Sequence, residues 1–275
     1  MKYIAVLLTV FNRRDKTVEC LDNLFKQKLP SDYTLEVFLT NDGCTDGTPE
    51  TVHSNFPNVH IIDGDGSLFW NRGMYTAWKK AANTRPYDYY LWLNDDTFIY
   101  DGAIEYMLDS LDKLGGDCIL AGATCSPNDS SFTTYSGFVD KKMLQVDGTF
   151  QRVKKFNGNF VLIPRSVFKK LGFNDPYYRH SFGDIDYGLR ANRIGIPCYI
   201  TSKHIGTCAA HEKQIACFDR HLPLKKRLKA FYSPLGMNPF EFFHMNLKTE
   251  GLIKAVLVFF STHIRVVFPI LWEKH

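Results

Sequence analysis

Two carboxylates, Asp95 and Asp96, stand side by side where an apolar run ends in LWLNDDTFIY. Asn and Asp favour strand-ending turns through local side-chain hydrogen bonds, so a plain turn is one reading of the pair. The other reading is chemical. Adjacent carboxylates repel each other unless a cation lies between them, and oxygen ligands suit hard divalent ions such as Mg²⁺ or Mn²⁺. A second acidic pair, Asp184 and Asp186, is spaced two apart in GDIDYGLR, where a helix is expected to open. Carboxylates there cap a helix and meet its dipole, or in a cleft they serve as a general base. No covalent nucleophile is evident. The stretch DGDGS at 63–67 resembles a calcium loop only superficially, because the later Glu and the spacing are missing.

These side chains need elements to hold them. Apolar runs at 3–10, 34–40, 59–63, 89–94 and 118–124 read as strands, with helix-length segments at 16–28, 73–84 and 102–114 between them. Strands without strict alternation, separated by helices, indicate a parallel sheet covered on both faces. The first 125 residues therefore read as a doubly wound α/β unit. Beyond it come one or two antiparallel strands within 133–146, a strand at 159–164, helices at 165–171 and 184–194, and a short strand at PCYIT. In open α/β sheets ligands bind at the carboxyl ends of the parallel strands. Those ends are TVFNRRD, TNDGCTDGT, DGDGS and NDDT, all polar, and this convergence favours a site over a set of turns.

With 275 residues, 45% apolar and 23% charged, the chain is an ordinary globular one with room for a sizeable core. A net charge of +4 does not call for nucleic acid. Seven scattered cysteines without a CxxC pair indicate neither a zinc knuckle nor a disulfide framework, and suit a reduced, cytoplasmic setting. The run MKYIAVLLTV reads as a buried first strand rather than a signal peptide, since no small-residue cleavage site follows it.

Six pieces in order, TVFNR, NDGCTDGT, WNRGM, LWLNDDT, SFGDIDYGLR and KHIGT, give the chain a specific likeness. It resembles the GT-A-fold, family 2 inverting glycosyltransferases that use nucleotide-diphosphate sugars, and in pattern the bacterial rhamnosyltransferase-like branch. The likeness runs from about residue 3 to 211. It implies a Rossmann-like mixed sheet with a C-terminal helical extension. It also implies that Thr9 and Phe11 line the nucleobase and ribose pocket, that Asp42 accepts from the uracil or thymine ring NH, and that Arg72 lies near the base or diphosphate. Asp95 and Asp96 match the acidic pair that holds Mn²⁺ or Mg²⁺. Asp96 is expected to be the direct ligand and Asp95 to meet the ribose or a metal-bound water, since neighbouring strand residues point to opposite faces. Asp184 matches the base, with Asp186 holding the loop or cap, and His204 matches a position able to complete the metal site. For a lone strand-end histidine, packing among apolar neighbours is the plainer reading. Two departures stand out: Asn41 and Gly183 occupy positions where the family often has acidic residues. Trp70, Tyr75 and Trp92 read first as core. Trp70 and Asn157 are candidates for acceptor or supporting roles, the acceptor pocket being drawn from 156–160 and 177–182.

The expected organisation is a nucleotide-sugar-binding half at 1–125, an acceptor and catalytic half of the same domain at 126–215, and a basic helical region at 216–275. In its last helix, expected over 250–268, Glu250, Lys254, Ser261 and Arg265 form a narrow polar stripe on an apolar cylinder. Such a helix docks, dimerises, or lies on a membrane surface, and Lys225, Lys226, Arg227 and Lys229 suit anionic lipid. The implied activity is metal-dependent transfer of a sugar from a UDP- or dTDP-sugar to a hydroxyl of a glycan or lipid-linked glycan, in bacterial surface polysaccharide synthesis. The expected location is cytoplasmic, on the inner face of the membrane. Two rivals are a catalytically silent nucleotide-sugar-binding or assembly protein and a sugar-phosphate nucleotidyltransferase. The latter normally carries a Gly-rich phosphate loop after the first strand, and TVFNRRDK has no glycine.

Overall fold

In the computed structural model, which describes residues 1–210 and 216–272, the first nine-residue strand sets the architecture. Along β1 (Lys2–Val10), Ile4, Val6, Leu8 and Val10 enter one apolar cluster while Ala5 and Leu7 enter another, so both faces of the sheet are covered. Helices α1 (Arg14–Phe25) and α2 (Thr48–Asn55) flank β2 (Tyr33–Asn41), and β3 (His60–Asp63) precedes α3 (Phe69–Thr84). Next come β4 (Tyr89–Leu93), β5 (Phe98–Ile99), α4 (Ala103–Lys113) and β6 (Ile119–Ser126). Alpha-1 and α4 cover the first face through Leu21, Leu24, Met107 and Leu108. Alpha-3 covers the second through Met74, Ala77 and Trp78. Each buried leucine or methionine among them contributes about 1.5–3 kcal/mol of transfer free energy.

A mixed segment follows: β7 (Asp129–Tyr135), β8 (Gly137–Val139), β9 (Lys142–Met143), β10 (Gln151–Val153), β11 (Lys155–Phe156) and β12 (Phe160–Pro164). Then come α5 (Arg165–Leu171), α6 (Gly183–Arg193) and β13 (Cys198–Thr207). The main sheet runs β10-β13-β6-β12-β4-β1-β2-β3, with β5 on β13 and β7 on β6. Beta-4, β1, β2 and β3 form one continuous parallel block, and β6 pairs parallel with β13 farther along the sheet. Beta-12 inserts antiparallel between β4 and β6, so the strand expected at 118–124 does not extend that block. One sheet thus draws on both sides of residue 125. Beta-13 runs well beyond PCYIT, its pairing with β6 interrupted by register shifts on both sides of His204.

Among the described residues the C-terminal region holds α7 (Leu224–Tyr232), α8 (Pro239–Glu250) and α9 (Leu252–Val267). Asn238 caps α8 by accepting from the Phe240 and Glu241 amides, and Pro239 occupies the position where a missing N–H costs nothing. Gly251, at φ +88°, separates α8 from α9. Glu250 therefore ends α8 and does not belong to the polar stripe of the last helix. Alpha-8 is bound to the sheet-bearing part by charge: Arg179 donates to Glu241 at 2.7 Å, and Lys248 reaches Asp175 at 2.8 Å and Asp186 at 2.7 Å.

Candidate active site

The acidic pair sits in a turn, not on a strand. Beta-4 ends at Leu93, and the Thr97 amide donates back to the Asn94 carbonyl at 3.1 Å. Alternation therefore no longer applies, and both carboxylates face the same way. One guanidinium nitrogen shows this: Arg13 Nη1 donates to Asp95 Oδ1 at 3.2 Å and to Asp96 Oδ2 at 2.8 Å. The expectation of opposite faces is corrected accordingly. Thr17 Oγ1 lies 3.5 Å from Asp95 Oδ2, and the Cys208 thiol lies 3.8 Å from Asp96 Oδ1. Burial pushes the Asp95 carboxyl up to about 7, against the pull of Arg13. Burial, reinforced by Asp96, pushes the Cys208 thiol up to about 12.

Arg13 was not singled out from the sequence. Its signal was present, two arginines directly after the first parallel strand, but its partners lie more than eighty residues away. Asn12, Arg13, Arg14, Asp15, Lys16 and Asp46 line an open cleft of about 480 Å³ at the same end of the sheet. Three of these six side chains are cationic and two anionic, a net +1 that mildly favours an anionic ligand. Phe11 is more than half exposed beside the cleft, while Thr9 lies against α3, where Gly73 has no room for a Cβ beside the Thr9 hydroxyl.

Asp184 is brought to this end by packing. Trp70 Nε1 donates to Asn94 Oδ1 at 2.7 Å, next to the acidic pair. A Cβ on Gly158 would lie 2.5 Å from the Trp70 ring, so only glycine admits the indole there. The Gly158 amide in turn donates to Asp184 Oδ2 at 2.9 Å, and the Ile185 amide to Asp184 Oδ1 at 2.8 Å. Trp70 and Gly158 thus connect the turn of β4 with the first turn of α6. Asp186, fully buried, accepts from Arg190 at 2.7 Å and Tyr178 at 3.2 Å and pairs with Lys248. Its carboxylate is committed to holding the structure.

Both sequence departures have physical reasons. Asn41 donates to Asp63 Oδ1 at 2.9 Å and accepts from the Cys44 amide at 2.9 Å, a pairing that an aspartate could not donate. Gly183 follows Phe182, which is left-handed at φ +73°, and a Cβ on Gly183 would meet Asn71 Oδ1 at 1.8 Å. Asn71 is locked by donating to the Asp175 and Tyr178 carbonyls.

The remaining candidates each make contacts with the chain itself. Asp42 Oδ1 accepts from the Gly66 and Leu68 amides and Oδ2 from the Phe69 amide, so its carboxylate organises the loop into α3. Arg72 reaches the Pro176 carbonyl at 2.9 Å and the Tyr177 carbonyl at 3.4 Å. Asn157 Oδ1 accepts from the Ser136 amide at 3.3 Å. His204 Nε2 bonds the Thr133 hydroxyl at 2.8 Å, and burial lowers its pKa. Cys208, just beyond the end of β13, approaches Asp96. Among the described residues no three His, Cys, Asp or Glu side chains gather as a metal cluster. Two carboxylates held against a cation do fit Mg²⁺ or Mn²⁺ when ligand phosphates complete the shell.

A mixed sheet with a four-stranded parallel block, an acidic turn after its fourth strand and a helical C-terminal part defines a GT-A fold. Solved structures agree: S. aureus TarS 1–349 in complex with UDP-GlcNAc superposes with a TM-score of 0.56 at 15% identity, covering 88% of this chain and 67% of that one. The mannosyltransferase PcManGT from Pyrobaculum calidifontis, in complex with GDP-Man and Mn²⁺, gives 0.56 at 16%, covering 97% and 81%. The model of Glycosyl transferase family 2 matches residues 5–172, and the chain belongs to that family. Curated relatives include poly-beta-1,6-N-acetyl-D-glucosamine synthases from Staphylococcus epidermidis RP62A, 24% identical, and Staphylococcus aureus MSSA476, 26% identical, each over 180 residues. These matches cover 62% of this chain and 42% of the relatives, so the chain spans less than half of their length.

Proposed function

We propose that this glycosyltransferase inverts the anomeric centre as it moves a hexosyl or deoxyhexosyl group from a UDP- or dTDP-sugar to a hydroxyl of a glycan or lipid-linked glycan. The observation that carries the reading is the connection of Asp184 to the acidic pair through Trp70 and Gly158. Sugar transfer with inversion needs a base for the acceptor proton on one side and charge neutralisation for the departing diphosphate on the other. Asp184 is the base, aimed by the Gly158 and Ile185 amides. Asp186 is excluded from that role by its pairing with Arg190 and Lys248. Arg13, Arg14 and Lys16 receive the diphosphate in the open cleft. Asp95 and Asp96 would hold Mg²⁺ or Mn²⁺, which supplies Lewis-acid stabilisation of the leaving group. Phe11 offers its exposed ring to the base, and Asp42 shapes the loop that borders it. The likeness to polysaccharide synthases supports a role in surface polysaccharide assembly, and the unpaired thiols of the chain suit a reducing, cytoplasmic location.

The test combines binding and turnover. UDP and dTDP, each with and without Mn²⁺, should raise the melting temperature, because a ligand that binds only the native state stabilises it. Asp184→Asn should keep that shift while nucleotide-sugar transfer falls by roughly 10²–10⁴-fold, the usual contribution of a general base. If Asp184→Asn transfers normally, or if no nucleotide shifts the melting temperature, the reading is wrong.

A further inference from the structure

The outward face of α9 is the reverse of what a water-exposed helix presents. At 100° per residue, Val256, Val267, Phe260, Ile253, Ile264 and Leu257 fall on one side, and all six are exposed, Ile253 by 79% and Phe260 by 61%. Ala255 and Val266, on the other side, are fully buried, Val266 beside Phe231 of α7. Beyond the helix, Phe268, Ile270 and Leu271 extend the apolar surface. The described residues contain no helix long and apolar enough to cross a membrane.

The charge carried by α7 and α9 has one sign. Neither α7 nor α9 contains Asp or Glu. Exposed Lys254 and half-exposed Arg265 border the face on one flank. On α7, Lys225, Lys229 and Tyr232 share a side at spacings of four and three, and Tyr232 Oη bonds His263 Nε2 of α9 at 3.0 Å. In the sequence, residues 216–275 carry nine Lys and Arg against four Asp and Glu, a net +5, whereas the whole chain has +4. The basic character of the protein therefore resides in the segment that bears the apolar face.

We propose that this face seats the protein on an anionic lipid surface, with α9 lying in the plane of the head groups. Apolar side chains enter the acyl boundary while lysines on the adjoining faces meet lipid phosphates. A second copy of the chain fits less well. A two-fold contact would bring two surfaces of the same positive sign together, with no carboxylate on α7 or α9 to pair across it. The inference rests on the reading above only for its consequence, that the acceptor is met at a membrane surface. Vesicle binding itself is independent of turnover.

The experiment is co-sedimentation of the full chain with vesicles of phosphatidylcholine alone and of equimolar phosphatidylcholine and phosphatidylglycerol. Binding to the anionic vesicles and at least about tenfold weaker binding to the neutral ones is expected. The Phe260→Ser, Ile264→Ser double variant removes two exposed side chains without opening the core, and its vesicle affinity should fall by at least about tenfold. Lys225→Glu with Lys229→Glu should abolish the preference for phosphatidylglycerol. Circular dichroism melting of each variant should match the parent. Failure of the parent to sediment with either vesicle overturns the proposal. So does a concentration-dependent dimer that the Phe260→Ser, Ile264→Ser variant converts to monomer, because the face is then a self-interface.

Discussion

Arg13 holds two carboxylates that would otherwise repel, and it does so from the half-exposed mouth of the cleft. A divalent ion would compete with its guanidinium for the two carboxylates, and a diphosphate would compete with the carboxylates for the guanidinium, so removal of the arginine has a readable consequence. Arg13→Met should lower stability by about 1–3 kcal/mol, less than for a fully buried pair because the arginine is partly solvated. The loss should be greater at pH 8 than at pH 6. Burial holds Asp95 at about 7 even with Arg13 pulling it down, so loss of the arginine moves it higher still, and above about 7 the carboxylate ionises beside its partner in the parent but at a cost in the variant. Added Mn²⁺ should restore part of the melting temperature of the variant. Equal melting of variant and parent at both pH values would remove Arg13 from any role in holding the pair. At this scale the sequence disclosed the acids more readily than their partners. Asp95, Asp96 and Asp184 are marked by their neighbours in the chain, whereas Arg13, Cys208 and Trp70 join them only across folded distance.

The position of Asp184 depends on where α6 begins, and α3 fixes that start. Asn71 fills the space a side chain at position 183 would need, and Phe182 takes the left-handed turn that precedes it. Gly183→Ala forces a Cβ to 1.8 Å from Asn71 Oδ1, so the first turn of α6 must shift. A catalytic carboxylate displaced by about 1 Å can lose roughly 10² in rate. We therefore expect transfer to drop by about that factor while nucleotide-induced thermal stabilisation stays within error. Parent-like kcat in Gly183→Ala would show that α6 tolerates the displacement. Elements with strong apolar runs or clear periods were legible, as β1, β4 and α5 illustrate. The helix α2, TPETVHSN, was not: it has a single fully buried aliphatic side chain and no apolar stripe. Beta-5 and β11, two residues each, are strands only because β13 and β8 pair with them. The central place of β12 was also hidden, since nothing local in NFVLIP says that it inserts antiparallel beside β4.

At the scale of the molecule, the C-terminal helices are joined to the catalytic part by a compact ionic cluster whose centre is Lys248. It bridges Asp175 and the fully buried Asp186, while His244 also reaches Asp175 at 3.1 Å. Lys248→Met leaves Asp186 with Arg190 and Tyr178 only, and should cost about 2–3 kcal/mol, toward the lower end of what breaking a buried pair costs. The same cluster sets an acid limit. Burial works against ionisation of Asp175, but Lys248, the Tyr177 amide and His244 outweigh it and hold the carboxyl down at about 2. The unfolded chain has an ordinary aspartate there, near 3.9, so between these values the unfolded state binds more protons. The contribution of Asp175 to stability is therefore fully present above about pH 4 and is lost as pH falls toward 2. Thermal melting followed by circular dichroism from pH 6 to pH 2.5 should show the parent losing stability through that window. Asp175→Asn, which has no carboxyl to titrate, should start lower and slope less steeply. If the two curves are parallel, the cluster does not govern the acid limit, and the docking of α8 rests on the Arg179–Glu241 pair and the stacking of Phe182 on Phe242 instead.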